Sequence, residues 1–294
     1  MTRSQHHAAA DKRLLEYIGV DYPYKRPKSE WNPKPDNEKI LVLADPHNPY
    51  YSTRVEKAAE REKDAGLVIV PGDVGDYYSK SRFRKNRAVS FATEVYSVFK
   101  YMEWLSTNWR EVKIQIGNHD NRPEKAVMDI MGKDIDLMIL TEQNLLLNLA
   151  SFFDNIEIVG TQIEGEPQAN GRQFKVGLTH IYQHGDIVFT HGEKSMEQAS
   201  ALMAKISVYL HQWKGLLRLK PYKIIAQAHN HADFRMSAGT EKWIQLPAAC
   251  EPVSIGMEYI FGSRMIGKPP STGYAIFYQD NGETDYNHSR NVLV

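Results

Sequence analysis

Acidic, amide and histidine side chains follow directly after apolar stretches at five places in the sequence. The five motifs are Asp45-x-His47, Gly72-Asp73-x-x-Asp76, Gly117-Asn118-His119-Asp120, His191-Gly192 and His229-x-His231. Imidazole nitrogen together with carboxylate and amide oxygen suits borderline divalent metals such as Zn²⁺, Mn²⁺ or Fe, whereas Mg²⁺ and Ca²⁺ prefer an all-oxygen set. One such motif alone is an ordinary turn, but five in one chain predict a metal site.

The candidate metal ligands outnumber what a single ion needs. They are Asp45, His47, Asp73, Asn118, His191, His229 and His231. This set is large enough for two ions that share one carboxylate, and two ions about 3.5–4 Å apart can assist an in-line displacement at phosphorus. A hydroxide held between the ions would be the nucleophile, because metal binding can lower the pKa of water to about 7.

The segments that precede these motifs are typical of strands in an α/β protein. Apolar runs at residues 40–44, 67–71, 112–116, 156–159, 187–190 and 224–228 alternate with helical patterns, which predicts βαβ units and a largely parallel sheet. Helices are predicted at residues 54–64 and 89–105, and from the capping box Ser195-Met196-Glu197-Gln198 to about residue 212. Because open α/β sheets place their chemistry at the carboxyl ends of strands, the motifs should share one edge.

Other parts of the chain complete the predicted architecture. The Asn-Gly pairs at Asn170-Gly171 and Asn281-Gly282 predict hairpin turns. We expect the strand-rich C-terminal third to form a second sheet on the same core. The proline-containing residues 1–38 are predicted to be an N-terminal arm with a short helix at 12–18, and residues 39–294 to be one domain.

Composition restricts the class of protein further. Lys+Arg and Asp+Glu balance at 36 each, so the chain lacks the overall basic field that would by itself indicate nucleic acid. The single Cys250 cannot form an internal disulfide, which fits a reducing compartment. No apolar run approaches the roughly 18 residues of a membrane span, and the N-terminus lacks a signal-peptide core. These features predict a soluble cytoplasmic protein without a membrane partner and leave the oligomeric state open.

In this order the five motifs resemble those of the calcineurin-like metallophosphoesterases, over roughly residues 40 to 232. The resemblance implies a four-layer α/β/β/α sandwich of two mixed sheets flanked by helices. It also implies two divalent ions, Mn²⁺ first, with Fe, Zn²⁺, Ni²⁺ and Co²⁺ as alternatives. In such a site the first ion is held by Asp45, His47 and His231, Asp73 bridges, and the second ion is held by Asn118, His191 and His229.

The resemblance assigns a different role to His119, which would not be a ligand. It would lie beside the substrate phosphate and protonate the leaving oxygen or stabilise the transition state, while Asp76 orients its ring. Two departures from the family pattern bear on the substrate. Family protein phosphatases follow the Gly-Asp motif with Arg-Gly and have Glu after Asn-His, whereas this chain has Tyr77-Tyr78 and Asp120. We therefore do not expect a protein phosphatase of that type.

The residues after the Gly-Asp motif predict the substrate. The run at residues 77–87 holds five cations, three aromatic residues and no acid, and this combination favours single-stranded nucleic acid or nucleotides. A solvated basic loop would have the same composition. The candidate substrate residues are Tyr77, Tyr78, Lys80, Arg82, Arg84 and Arg122.

The leading hypothesis is a metal-dependent, nuclease-like phosphodiesterase that acts on nucleic-acid or nucleotide-type diesters. One alternative is a phosphomonoesterase with the same site, acting on a nucleotide, a small molecule or a phosphoprotein. The other is a non-catalytic scaffold that keeps the fold.

Overall fold

Two β-sheets pack face to face in the computed structural model, which describes residues 3–27, 38–81, 89–131, 145–160, 162–164, 175–178, 180–192, 199–251 and 270–294. The helices in these ranges are α1 (Arg3–Ile18), α2 (Thr53–Ala59), α3 (Phe91–Asn108), α4 (Arg122–Met131), α5 (Leu145–Ala150) and α6 (Ala199–Trp213). The strands are β1 (Glu38–Val42), β2 (Leu67–Pro71), β3 (Val112–Gln115), β4 (Ile156–Val159), β5 (Gln162–Glu164), β6 (Lys175–Leu178), β7 (Ile181–His184), β8 (Ile187–His191), β9 (Ile224–Ala228), β10 (Phe234–Ala238), β11 (Glu241–Gln245), β12 (Gly273–Asp280), β13 (Glu283–Thr284) and β14 (Arg290–Leu293).

The first sheet has the strand order β13-β12-β1-β2-β3-β4, with β14 also paired to β12. Strands β1 to β4 are parallel neighbours, and β12 joins β1 in antiparallel orientation. The carboxyl ends of β1, β2 and β3 therefore lie side by side at one edge. The loops beyond these ends stay paired, because His47 N–H donates to the Asp73 carbonyl at 2.9 Å.

The second sheet has the order β10-β11-β9-β8-β7. Its central strands β8, β9 and β11 are parallel, and β7 and β10 close it as antiparallel edges. Helix α6 connects β8 to β9 and covers the outer face of this sheet, where Val188 and Ile225 pack against Met203 and Leu210. The carboxyl ends of β8 and β9 thus emerge together.

Side chains along the buried strands point alternately to the two faces of the first sheet, and this alternation creates the layers. In β1 and β2, Ile40, Val42 and Ile69 face the second sheet, whereas Leu41 and Val68 face the helices α1, α2, α3 and α5. The result is the four-layer α/β/β/α arrangement of two mixed sheets that the sequence predicted. The six predicted strands are β1 to β4, β8 and β9, each within two residues of its expected ends.

The C-terminal third divides between the two sheets. Its strands β9, β10 and β11 belong to the second sheet, as predicted, whereas β12 pairs with β1 in the first sheet with Leu41 opposite Ile276. The hairpin turn at Asn281-Gly282 is confirmed, and both residues have the positive φ of 49° and 81° that such a turn needs. Helix 54–64 ends early at Ala59 and continues as the 3₁₀ turn Glu60–Glu62. The turn Asn170-Gly171 and the capping box 195–198 lie outside the described residues.

The N-terminal segment packs on the helical layer. Helix α1 extends well before the predicted start at residue 12, and Leu15 is buried in the core. Tyr24 inserts its ring among Phe99, Phe153 and Phe152, with centroid distances of 5.0, 5.9 and 6.4 Å. Its hydroxyl donates to Glu103 Oε1 at 2.8 Å. These contacts fasten the segment to α3, and the division at residue 38 into arm and domain stays a prediction.

Replacing Tyr24 with alanine should therefore lower the free energy of unfolding by about 2–4 kcal/mol, since it removes a half-buried ring and three edge-on aromatic contacts. Chemical denaturation of the purified variant measures this change. Tyr17→Ala is the matched control, because that ring is 55% exposed and should cost less than about 0.5 kcal/mol. Equal stabilities of the two variants would show that the segment does not stabilise the domain.

Candidate metal centre

The five motifs meet where the carboxyl ends of the two sheets come together. Ligand atoms of three overlapping residue sets lie within 4.8 Å of one another: Asp45 with His47 and His231, His47 with Asp73 and His119, and Asp73 with His191 and His229. The first sheet supplies the residues after β1, β2 and β3, and the second sheet supplies those of β8 and β9. All seven candidate ligands thus belong to one cluster, which Asn118 joins through His191.

The backbone is strained at this cluster. Eight non-glycine residues in the described ranges have positive φ, and five of them are candidate ligands: Asp45 (49°), His47 (46°), Asp73 (51°), His229 (85°) and His231 (50°). Such conformations cost about 1–3 kcal/mol each and persist where the surrounding structure fixes them for a function. The strained positions therefore coincide with the predicted chemistry.

Two glycines permit the close packing of the site. An added Cβ at Gly117 would lie 2.1 Å from Asp73 N and 2.1 Å from Asp73 Oδ1, and one at Gly72 would lie 2.4 Å from His191 Nδ1. Gly72 also has a φ of 97°. Any side chain at either position would push a candidate ligand out of place.

One half of the cluster is built from Asp45, His47 and His231. His47 Nε2 lies 3.2 Å from His231 Nε2, and His47 Nδ1 lies 3.3 Å from Asp76 Oδ1. A carboxylate accepts but cannot donate, so Nδ1 of His47 carries the proton that faces Asp76. The Nε2 atoms of the two rings then point at each other, as two nitrogens that share one cation would. Asp45 Oδ2 accepts from His229 N–H at 2.8 Å, which holds the carboxylate beside them.

The other half contains Asp73, Asn118 and His191. His191 Nδ1 donates to the Pro71 carbonyl at 2.8 Å, so this backbone contact fixes the tautomer and leaves Nε2 as a potential ligand. Nε2 lies 2.9 Å from Asn118 Oδ1 and 3.2 Å from Asp73 Oδ2. The ring of His229 lies beside that of His191, with centroids 5.2 Å apart. Three atoms with lone pairs therefore converge here: Asp73 Oδ2, Asn118 Oδ1 and His191 Nε2.

The cluster fits divalent cations in its chemistry. Asp45 Oδ1 and Asp73 Oδ2 are buried and accept no hydrogen bond from the described residues, and such oxygens are costly unless a cation compensates them. Burial would raise the pKa of Asp73, but His191 and His119 outweigh it and hold that pKa well below its usual range. Burial lowers the pKa of His229 to about 3, which keeps its ring neutral. Ionised carboxylate and neutral imidazole are the forms that bind metal.

The electrostatic field at His191 shows how strongly this position attracts positive charge. Burial opposes a charged ring there, yet Asp73 and Asp45 raise the pKa of His191 to about 10. Burial raises the pKa of Asp45 to about 6, and its neighbour Asp73 adds to that rise. The cluster is a concentration of negative charge around imidazole nitrogens.

His119 occupies a different environment from the candidate ligands. Its Nδ1 lies 2.7 Å from Asp76 Oδ1, and its Nε2 lies 3.0 Å from Arg122 Nη2 and 3.9 Å from Asp73 Oδ2. Because a carboxylate can only accept, Asp76 fixes the proton on Nδ1 and directs Nε2 toward the cluster. The predicted pair of His119 and Asp76 is thus in contact.

Asp76 does more than the sequence indicated. The same Oδ1 atom faces both His119 Nδ1, at 2.7 Å, and His47 Nδ1, at 3.3 Å. One buried carboxylate therefore orients a candidate ligand and the candidate proton donor together. Burial would raise the pKa of Asp76, but the two histidines outweigh it and hold that pKa far below its usual range.

Asp120 is a positioning residue that the sequence reasoning missed. Its carboxylate accepts backbone N–H groups from Val74 at 3.2 Å, Gly75 at 2.9 Å and Gly117 at 2.8 Å. It thereby ties the loop after β2 to the loop after β3. The only sequence signal is its position two residues after Asn118, because backbone donors from distant segments cannot be read from residue types.

Replacing Asp120 with alanine should lower metal affinity by about 10–100-fold, as is typical when a residue that supports metal ligands is lost. The three released N–H groups would let the loops that carry Asp73 and Asn118 separate. Calorimetric titration with Mn²⁺ measures the affinity. Asp120→Asn retains one acceptor oxygen and should fall between the wild type and Asp120→Ala. Unchanged affinity in both variants would contradict this role.

The predicted substrate residues fall into four groups. Tyr77 is fully buried in the core and packs against Phe91 at 6.0 Å, and Tyr78 is 6% exposed. This burial argues against both tyrosines as substrate residues, because a buried ring offers no open face. Lys80 is exposed. Arg82 and Arg84 lie outside the described residues, and Arg122 contacts His119 as described above.

Together, the two-sheet sandwich and the carboxylate-histidine cluster at its strand ends form a site whose residues suit divalent metal ions. A family model described as calcineurin-like phosphoesterase matches residues 38–261, which is more than half of the chain. The protein belongs to this family of metal-dependent phosphoester hydrolases. No curated protein is significantly similar to the chain in sequence.

Solved structures of similar shape were also found. Vacuolar protein sorting 29 from Cryptosporidium parvum is 13% identical, with 88% of this chain and 100% of that chain covered and a TM-score of 0.39. An archaeal phosphodiesterase is 15% identical, with 87% and 99% covered and a TM-score of 0.39. Zinc-complexed vacuolar protein sorting 29 from Entamoeba histolytica is 13% identical, with 87% and 98% covered and a TM-score of 0.39. Similarity at this level supports no statement about function.

None of the helices within the described ranges is both long and apolar enough to cross a bilayer.

Proposed function

We propose that the protein is a dimetal phosphodiesterase that hydrolyses nucleic-acid or nucleotide-type phosphodiesters. The observation that carries this proposal is the convergence of buried carboxylate oxygens and imidazole nitrogens from two sheets, with Asp73 Oδ2 between them at 3.7 Å from His47 Nε2 and 3.2 Å from His191 Nε2. Asp45, His47 and His231 would hold one ion, Asn118, His191 and His229 the other, and Asp73 would belong to both. When bound, two divalent ions supply Lewis-acid activation of water and neutralise charge on the phosphate.

The chain's own residues would handle the proton at the leaving oxygen. Asp76 holds the His119 ring through Nδ1 at 2.7 Å, so Nε2 is the atom that faces the substrate. Because Nδ1 keeps its proton toward Asp76, Nε2 can donate only from the doubly protonated ring. That donation would neutralise the oxygen that departs from phosphorus, and a positioned acid contributes about 10²–10⁴-fold to such a step. Burial lowers the pKa of His119, against the pull of Asp73 and Asp76.

The preference for a diester rests on the basic segment that follows Asp76. Glu94, at 0% exposure, accepts from Ser79 N–H at 3.2 Å and from the Ser79 hydroxyl at 2.5 Å. These bonds anchor the 3₁₀ turn Tyr78–Lys80 next to the site. Lys80 lies over the Phe91 ring at 4.7 Å, and the cations of residues 82–87 follow directly in the sequence. A polyanionic substrate would be attracted to this side of the cluster.

A substrate panel tests the proposed function. Purified Mn²⁺-loaded protein is assayed on bis-p-nitrophenyl phosphate, p-nitrophenyl phosphate, a single-stranded oligonucleotide and cyclic nucleotides, each with and without a chelator. We expect chelator-sensitive cleavage of the diesters. Clear monoester hydrolysis without diester cleavage would indicate a phosphomonoesterase. A protein that binds no divalent metal would be a scaffold.

Neutralising the basic segment should separate substrate binding from chemistry. Replacing Lys80, Arg82, Arg84, Lys85 and Arg87 with glutamine should weaken oligonucleotide binding by at least about tenfold at low salt. Each cation that contacts a phosphate releases counterions from the nucleic acid, so binding by the variant releases fewer of them. Hydrolysis of bis-p-nitrophenyl phosphate should stay within about twofold of wild type. The control replaces five exposed lysines from elsewhere in the described ranges: Lys12, Lys57, Lys205, Lys214 and Lys220. Equal losses on both substrates, or an equal effect of the control, would reject this assignment.

A further inference from the structure

The guanidinium of Arg122 lies against the one atom of His119 that faces the substrate. Arg122 Nη2 is 3.0 Å from His119 Nε2, while Nη1 donates to the Asp76 carbonyl at 2.6 Å and lies 3.4 Å from Asp76 Oδ1. The side chain is only 14% exposed. Arg122 is therefore held in a defined position by the pair that the proposed function uses for proton donation.

The guanidinium keeps donors to spare in this position. The guanidinium has five N–H groups in a planar fork. Its contacts within the described residues use Nη1 and one of the two N–H groups of Nη2. Those contacts are with Asp76 and His119 and with none of the candidate metal ligands. A buried fork with unused donors beside a catalytic cluster suits a planar, bidentate contact with a phosphate.

The location of the fork relative to His119 decides which phosphate it would meet. His119 Nε2 has Asp73 Oδ2 at 3.9 Å and Arg122 Nη2 at 3.0 Å. The scissile phosphorus must lie near Asp73, where the two ions would meet, and the departing oxygen must lie near Nε2. The part of the leaving group beyond that oxygen then reaches the guanidinium.

We propose that Arg122 binds a second phosphate carried by the leaving group, so that the preferred substrate is a diester with a neighbouring phosphate on its leaving side. This inference rests on the proposed phosphodiesterase function and deepens it. Hydrolysis breaks the bond from phosphorus to the leaving oxygen and joins phosphorus to the oxygen of water, which gives up one proton to solvent. The doubly protonated His119 ring transfers its Nε2 proton to the leaving oxygen and keeps the Nδ1 proton that faces Asp76.

Three dinucleotide substrates test the proposal. They are thymidylyl-(3′→5′)-thymidine and its two derivatives with one extra phosphate, at the 5′ end or at the 3′ end. Product analysis shows which nucleoside leaves. For wild-type protein we expect kcat/KM to be about 10–100-fold higher when the extra phosphate is on the leaving nucleoside, the gain typical of a charged hydrogen bond. The isomer with the phosphate on the retained nucleoside should gain much less.

The variants Arg122→Gln and Arg122→Lys separate recognition from structure. Arg122→Gln should reduce the ratio of kcat/KM between the charged and the uncharged leaving group to about one, whatever happens to the absolute rate. Arg122→Lys keeps the charge without the fork and should retain part of the ratio. A residue that merely supports Asp76 would change all three substrates alike and leave the ratio unchanged.

A binding measurement provides a readout other than turnover. Calorimetry of Mn²⁺-loaded protein with thymidine 3′,5′-bisphosphate should show at least about tenfold weaker binding for Arg122→Gln than for wild type. No leaving-group preference in wild type, or a preference that survives in Arg122→Gln, would overturn the inference while diester cleavage itself still stood. Failure of all three dinucleotides, with p-nitrophenyl phosphate hydrolysed, would instead remove the proposed function on which the inference rests.

Discussion

Asp73→Asn should abolish hydrolysis and reduce the metal content of the protein at both positions. Asp73 Oδ2 lies 3.2 Å from His191 Nε2 and 3.7 Å from His47 Nε2, so a single carboxylate faces both halves of the cluster. The neutral amide offers one weaker oxygen in its place. Losing a residue that only supports a metal ligand costs about 10–100-fold in affinity, and we expect a larger loss here, measured as bound Mn²⁺ by elemental analysis after dialysis.

The same variant should also be less stable than wild type when metal is absent. Asp73 is fully buried, yet His191 and His119 hold its pKa well below its usual range, so its charge stabilises the folded state above the pKa of the unfolded chain. The metal-free variant should therefore melt below metal-free wild type. Adding metal at about 100 times its dissociation constant should raise the melting temperature of wild type by about 5–10 °C and of the variant by far less.

Asp186→Asn is the matched control for this experiment. Asp186 is also buried, at 7% exposure, but it accepts from Thr284 N–H at 3.1 Å in the hairpin region between the sheets. Its replacement should lower stability without changing metal content. Retention of two ions per chain by Asp73→Asn would show that Asp73 does not bridge.

The sequence predicted the site better than it predicted the sheets. Each candidate ligand follows an apolar strand, and parallel pairing places strand ends together regardless of the loops, so adjacency in space followed from local patterns. The placement of β12 did not follow. Its continuous apolar run at residues 274–278 fits either sheet, and only its long-range pairing with β1, Leu41 opposite Ile276, decides which sheet it joins.

The supporting residues were the least predictable part of the site. Asp120 acts on backbone groups of residues 74, 75 and 117, and backbone donors look alike in every sequence. Tyr77 was predicted to face the substrate because it lies in a basic, aromatic run, yet the αL conformation at Tyr77, with φ of 48°, accompanies a ring that lies in the core. Side-chain direction after a strained turn depends on that backbone angle, which residue type does not determine.

His119→Ala should reduce kcat by about 10²–10⁴ on substrates with a nucleoside leaving group, the usual contribution of a positioned acid. The loss should be much smaller on bis-p-nitrophenyl phosphate, because p-nitrophenolate departs without needing a proton. Metal content should remain at the wild-type value, since the ring nitrogen Nε2 of His119 lies 3.9 Å from Asp73 Oδ2 and the backbone N–H that donates to Asp73 Oδ1 is kept in the variant.

Asp76→Asn tests the two roles of Asp76, which orients the His119 ring and the candidate ligand His47. Because Asp76 Oδ1 faces both His119 Nδ1 and His47 Nδ1, this variant should lose turnover on nucleoside substrates and also bind metal more weakly, whereas His119→Ala affects turnover alone.

A similar loss on good and poor leaving groups in His119→Ala would assign His119 to phosphate binding instead of proton donation. Loss of one ion from His119→Ala would make it a ligand, as its membership of the set with His47 and Asp73 permits on distance. Two measurements on these variants, the dependence of kcat on the leaving group and the metal content, therefore show which role His119 has. It is a metal ligand, a phosphate-binding residue or a proton donor.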